Sequence, residues 1–166
     1  MIKFVNILDE PAYFEQALFL YSKYSKFLDD DYAQNGKNLY DYFENLVKRV
    51  QPFFYVFVSE GTVAGLVYLD NIIGDGENLH SAELTTCFHK NFWGDYTKIC
   101  AIVFLHFCFE ICGFKKIKAL VYPENLRVKN LLKFAGFEKE ALLKGETLRN
   151  NKLQDVEVYS CRKAEK

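Results

Sequence analysis

The segment Ile99–Phe114 constrains this chain more than any other. It holds sixteen residues, with only His106 and Glu110 interrupting its apolar character. That length is short of the ~20 residues a membrane-spanning helix needs, so it reads as a buried helix from about Thr97 to Cys112, stopped by Gly113. His106, in the middle of it, reads as a hydrogen-bonded core residue. A helix of this kind must be covered, and the remaining sequence supplies elements to do so.

Ile2–Ile7 alternates as a short strand does. Pro11, behind Asp9-Glu10, suits the first turn of a helix reaching about Ser25. Asp29-Asp30-Asp31 and Asn35-Gly36 break the chain before a second helix, Leu39–Val50, with Leu39, Phe43, Leu46, Val47 and Val50 on one face. Phe53–Ser59 and Val63–Leu69 form a hairpin around Glu60-Gly61. A loop with Gly74-Asp75-Gly76 leads to the strand Ala82–His89. After the buried helix come a strand, Lys116–Tyr122, a helix, Glu124–Ala135, ended by Gly136, and two strands, about Phe137–Arg149 and Leu153–Arg162, around Asn150-Asn151-Lys152. The order β-α-α-β-β-β-α-β-α-β-β, without repeats or a linker, is that of one mixed α/β (α+β) domain over residues 1–166.

Apolar residues make up 50% of the chain and charged residues 26%, a globular balance. The start of the chain has no small-residue cleavage site after its apolar stretch. The five cysteines, at 87, 100, 108, 112 and 161, show neither CxxC pairs nor zinc spacing. The expected compartment is the cytosol, with no metal and no membrane association. The net charge of −1 argues against a protein that coats nucleic acid. Its distribution is uneven: residues 1–83 hold 6 Lys/Arg against 13 Asp/Glu, and residues 84–166 hold 15 against 9. That split points to an anionic ligand toward the back half and a cationic one toward the front, with chance distribution of solvated charge as the alternative.

The segment ALVYPENLRVKNLLKFAGFEKE, residues 119–140, resembles the GNAT acyltransferase superfamily, particularly its ribosomal-protein N-terminal acetyltransferases and related amine acetyltransferases. It has the strand, Pro-Glu-Asn, short helix and Gly-Phe ending of that family, with Asn125 and Gly136 eleven apart. AELTTCFHKNFWG, residues 82–94, is similar to the strand and loop preceding the family's cofactor helix, and Asp155–Tyr159 to its closing strand. The resemblance implies a central, mostly antiparallel, twisted sheet of about seven strands flanked by helices. It also implies acetyl-CoA as co-substrate. The pyrophosphate would meet the start of the long helix, where free N–H groups and the dipole favour an anion, along Trp93, Gly94, Asp95, Tyr96, Thr97 and Lys98. The pantetheine arm would pair like a strand with Thr85, Thr86, Cys87 and Phe88. Asn125 would touch the arm while capping its helix. Lys129 and Asn130, with Arg127 and Lys133, fall where CoA phosphates are met, although solvated roles are open to each.

Two features depart from the family pattern. The loop Trp93-Gly94-Asp95-Tyr96-Thr97-Lys98 is one residue short and carries a single glycine. Asp95 also reads as an N-cap whose carboxylate occupies the donors a phosphate needs, so weakened CoA binding is expected. Moreover, the helix positions from which a Tyr or Ser would protonate the departing thiolate hold Val128 and Leu132, leaving solvent, Tyr122 or Tyr159. Glu83 stands where the family often has a carboxylate beside the acceptor and is the candidate base, directly or through water; a solvated strand glutamate is the alternative. His80 and His89 read as surface residues or auxiliary bases. A Cys87-His89 nucleophile lacks a third, orienting group.

Of the 28 aromatic residues, ten lie between Tyr13 and Phe43. Tyr21, Tyr24, Tyr32, Tyr40 and Tyr42 are therefore candidate acceptor-binding residues, able to hold an ammonium by cation–π contacts, or else half-buried helix residues. The expectation is an N-acetyltransferase acting on a primary amine, either a small cationic molecule or a protein N-terminus, by direct attack in a ternary complex. The alternative is a GNAT-like binding protein without turnover. A monomer or a homodimer fits either.

Overall fold

The computed structural model describes residues 1–33 and 38–165. Its elements are β1 (Lys3–Asn6), α1 (Phe14–Leu28), α2 (Leu39–Arg49), β2 (Phe54–Ser59), β3 (Thr62–Asp75), β4 (Asn78–Phe88), α3 (Asp95–His106), β5 (Lys116–Val121), α4 (Leu126–Phe134), β6 (Glu138–Arg149) and β7 (Lys152–Arg162). The expected Asn35-Gly36 break lies outside the described residues.

Seven strands form one sheet in the order β1-β2-β3-β4-β5-β7-β6. Only β4 and β5 run parallel; every other neighbouring pair is antiparallel. This is the mostly antiparallel, helix-flanked sheet that the resemblance implies.

The central strands are apolar on both faces because helices cover both. Phe54, Val56 and Val58 of β2, with Leu66 and Tyr68 of β3, pack against Ala17, Leu20 and Tyr21 of α1 and Phe43, Leu46 and Val47 of α2. The intervening residues Phe57, Val67 and Leu69 face the other way, onto Cys100, Phe104 and Leu105 of α3 and Leu132 of α4. The period-2 alternation of the strands thus meets a period-3.6 stripe on each side.

The apolar run behaves differently from the sequence expectation in two ways. Its helix starts at Asp95, and after His106 it passes into a π-helical turn, Phe107–Ile111, in which Cys112 N donates to Phe107 O at 3.0 Å. His106 is exposed rather than a core residue. It shares an outward face with Ile99 and Ile102, while Cys100, Phe104, Leu105 and Cys108 turn inward. Among the described residues, no helix is long and apolar enough to cross a membrane.

The β3–β4 hairpin is also longer than its hydrophobic pattern. Strand pairing continues past Leu69 through two register shifts to Asp75↔Asn78. Gly74 lies there at φ +105°, where a Cβ would collide with Asn78 O. At the other end of the chain, Asn150 and Asn151 have φ of 52° and 60° and close a tight β6–β7 turn, as such a pair favours in a two-residue hairpin.

Candidate functional site

β4 and β5 pair over only three positions, from Ser81↔Lys116 to Glu83↔Lys118. Beyond them the strands part. Between Leu84–Phe88 on one side and 119–122 on the other opens a cleft of about 760 Å³, within the ~300–1,000 Å³ usual for a small-ligand site. The cleft passes through the sheet. On the α3/α4 face it is lined by Trp93, Gly94, Thr97, Lys98, Asn125, Arg127 and Asn130; on the α1 face by Tyr24, Phe27, Leu28, Asp30, Glu146 and Thr147.

Strand geometry decides which backbone groups face this opening. His89 N donates to Ala64 O on β3 at 2.9 Å, and Lys115 N of the segment before β5 donates to His80 O. Alternation along β4 then turns the N–H and C=O of Leu84, Thr86 and Phe88 away from β3 and into the cleft. An extended amide ligand therefore has a strand edge available to it.

The start of α3 borders the same space. Gly94 is its cap residue at φ +106°, ψ −131°, and no side chain caps the helix. A Cβ on Gly94 would meet nothing within 4 Å, so conformation rather than space requires glycine there. The expectation for Asp95 is thereby corrected: it is the first helical residue, not the cap. Its side chain is 94% exposed and pairs with Lys98 at 3.5 Å. The N–H groups of the first turn keep no intrahelical partner, and Lys98 and Arg127 add positive charge beside them. At the next corner, Asn125 caps α4 by accepting from Val128 N at 3.5 Å.

Of the sequence-derived cofactor residues, Thr85, Thr86, Cys87, Phe88, Trp93, Gly94, Thr97, Lys98, Asn125 and Asn130 line the cleft, whereas Asp95, Tyr96 and Lys129 do not. Tyr96 packs on Phe92 and Phe88 instead. Lys129 turns inward, donating to Pro123 O at 3.0 Å and pairing with the buried Glu157 at 3.1 Å. Glu83 lies on the paired stretch outside the cleft, accepting from Asn71 at 2.9 Å and facing Lys118 at 3.7 Å. Of the five tyrosines, Tyr24 alone lines the cleft. Tyr21 is fully buried and donates to Asp29 Oδ1 at 2.6 Å. Tyr42 rests beside it, Tyr40 packs on Phe14, and Tyr32 is exposed.

Asp30, Glu146 and Thr147 have no counterpart in the sequence reading. Thr147 Oγ1 donates to Asp30 Oδ2 at 2.6 Å across 117 residues of chain, and Asp31 accepts from Asn150 N and Asn151 N. The three-aspartate break is thus a clasp on the β6–β7 hairpin. Only folding reveals it. Tyr122 lines the cleft too, with the Arg149 guanidinium 3.8 Å from its ring centre. Burial pushes its phenol up to about 12, and burial likewise raises the Cys87 thiol. Tyr159 is not in the cleft; it lies in the core and donates to Glu157 Oε2 at 3.0 Å.

A strand pair that parts beside an uncapped helix start makes a cleft suited to an extended anionic ligand, and residues 5–138 match the family model described as the acetyltransferase (GNAT) domain. The chain belongs to the GNAT acetyltransferase family. Among solved structures it is similar to a ribosomal-protein-S5-alanine acetyltransferase from Vibrio fischeri, with 16% identity, TM-score 0.75 and coverage of 97% of this chain and 91% of that one. It is also similar to a spermidine N-acetyltransferase from Vibrio cholerae in complex with CoA and spermine, with 21% identity, TM-score 0.73 and coverage of 97% and 95%. A GNAT-family acetyltransferase from Bacillus anthracis matches with 17% identity, TM-score 0.75 and coverage of 97% and 94%. No curated protein sequence matches.

Proposed function

We propose that residues 1–166 form one N-acetyltransferase domain that moves an acetyl group from acetyl-CoA to a primary amine within a ternary complex. The observation that carries this reading is the cleft between the parted strands, with chemically different linings on its two sides. The α3/α4 side offers a strand edge, unpaired helix N–H groups, Lys98 and Arg127, which suit an amide arm and its pyrophosphate. The α1 side offers Asp30, Glu146 and Tyr24, which suit a cationic amine. A polyamine or a protein N-terminus fits this lining, and the relatives that act on spermidine and on a ribosomal protein add weight to both.

The amine must attack as the neutral base, so its ammonium first gives up a proton. Asp30 lines the acceptor side and is the carboxylate we assign to receive it; Glu83, held by Asn71 and Lys118, acts only at a distance through water. The amine nitrogen then bonds to the thioester carbonyl carbon. A cleft-facing N–H of β4 is available to the oxygen as negative charge gathers there. Collapse breaks the C–S bond and leaves a thiolate. The attacking nitrogen sheds its second proton as the amide forms, and the Tyr122 hydroxyl, which lines the cleft, can relay it to that sulfur, taking up one proton as it gives one. The raised Cys87 thiol disfavours an acetyl-cysteine relay and supports direct attack.

The test is thiol release from acetyl-CoA in the presence of spermidine, an aminoglycoside and a peptide with a free N-terminus, with the products weighed by mass spectrometry. Thiol release with one acetylated amine is the expected result. A silent panel together with no calorimetric heat at millimolar acetyl-CoA overturns the reading.

A further inference from the structure

The only tryptophan of the chain, Trp93, occupies the cleft that it helps to line. Its indole Nε1–H donates to Phe88 O at 2.9 Å. One ring face carries the Arg127 guanidinium 3.1 Å from the ring centre, and the Tyr24 ring lies 6.3 Å away. Three elements, β4, α4 and α1, therefore hold a side chain that belongs to none of them. The residue is still 40% exposed, so it is seated at a cleft mouth rather than in the core.

The acceptor of the indole bond is the decisive detail. Phe88 C=O is turned into the opening by the alternation of β4, and it is the last such carbonyl before the chain leaves the strand. A ligand that adds to this edge as an extra strand needs that carbonyl for one of its own amide N–H groups. The indole N–H already satisfies it, as a ligand amide would. Arg127 stacks on the same indole, so the ring also fixes where the in-plane N–H donors of its guanidinium point. Gly94, at φ +106°, follows Trp93 directly and supplies a pivot without steric hindrance.

We propose that Trp93 is a self-ligand of the cofactor-arm subsite and thereby sets the affinity of this cleft for acyl-CoA. Binding of the arm displaces the indole from Phe88 O, and the same displacement releases the Arg127 side chain from the ring on which it is stacked. The two events are coupled because one side chain holds both groups. This inference rests on the acetyl-CoA reading above.

Because no other tryptophan is present, emission excited at the red edge of indole absorption, where the tyrosines do not absorb, reports Trp93 alone. Acetyl-CoA titration is followed by emission maximum and by calorimetry, for the wild type and for Trp93→Phe, which keeps an aromatic ring beside Arg127 but has no N–H to donate. The expected results are a red shift of wild-type emission at saturation, as the indole enters water, and binding by W93F that is about two- to tenfold tighter, the worth of one net hydrogen bond. A stationary emission maximum, or W93F binding that is unchanged or weaker, overturns the inference while leaving acetyl-CoA binding intact. Binding by W93F where the wild type gives no heat supports it. Absence of heat from both proteins sinks the inference and the cofactor reading together.

Discussion

Replacing Glu157 with Gln removes the one buried charge that ties the Asn125 corner to the sheet. Glu157 lies on β7 with its side chain 8% exposed. It meets Lys129 and Lys139 at 3.1 Å each and accepts from Tyr159 at 3.0 Å. Lys129 also donates to Pro123 O, so the pair holds the turn from which Asn125 caps α4. Breaking a buried ion pair costs about 3–5 kcal/mol. Gln keeps the shape and an acceptor for Tyr159, and Lys139, 44% exposed, is screened so that its pairing is worth at most ~1 kcal/mol. A net loss of about 2 kcal/mol follows, or a Tm lower by roughly 4–8 °C for a chain of this length. The effect depends on pH in a definite sense. Burial by itself raises the Glu157 carboxyl, but hydrogen bonds from Lys129, Lys139 and Tyr159 outweigh it and hold the group below the usual carboxylate range. A carboxyl depressed in the folded state stabilises above its unfolded pKa, about 4.3, and loses that contribution as pH falls through its folded value. Urea denaturation of wild type and E157Q should therefore show the full gap at pH 7 and a closing gap below pH ~4. A gap under ~0.5 kcal/mol at pH 7, within the range of an ordinary surface substitution, refutes the reasoning. So does a gap of equal size in acid.

Gly94→Ala places a side chain at φ +106°, a strained conformation costing about 1–3 kcal/mol; the urea midpoint should fall by the corresponding amount, and calorimetry should show acetyl-CoA affinity reduced about tenfold or more. Asp30→Asn keeps a partner for Thr147 but removes the carboxylate proposed to take the amine proton, leaving Glu146 on the α1 side, so kcat/KM for a cationic amine should fall at least ~10-fold while acetyl-CoA affinity holds; unchanged kinetics would return the proton-transfer role to Glu146 or solvent. Among the tyrosines, Tyr24→Ala should alter steady-state kinetics because Tyr24 lines the cleft, whereas Tyr32→Phe should not. Tyr21→Phe should cost about 1 kcal/mol in denaturation for its lost bond to Asp29.

The element order and the stops at Gly113, Gly136 and Asn150-Asn151 were legible in the sequence because each depends on periodicity or turn chemistry within a few residues. The same held for Asn125, whose cap and cleft position both follow from one short motif. His106 was misread because an apolar run does not say which of its faces turns outward, and the helix phase that exposes His106 with Ile99 and Ile102 is set by packing on the sheet. Asp95 was misread because one residue of difference in helix start changes a capping carboxylate into an exposed one. The cleft itself was beyond local reading. It exists because β4 and β5 stop pairing after Glu83↔Lys118, and its α1 side joins Asp30 to Thr147 from opposite ends of the chain. Local sequence determines which elements form and where they stop; where two strands part, and which distant side chains then face the gap, is decided by the packing of the whole sheet between its helices.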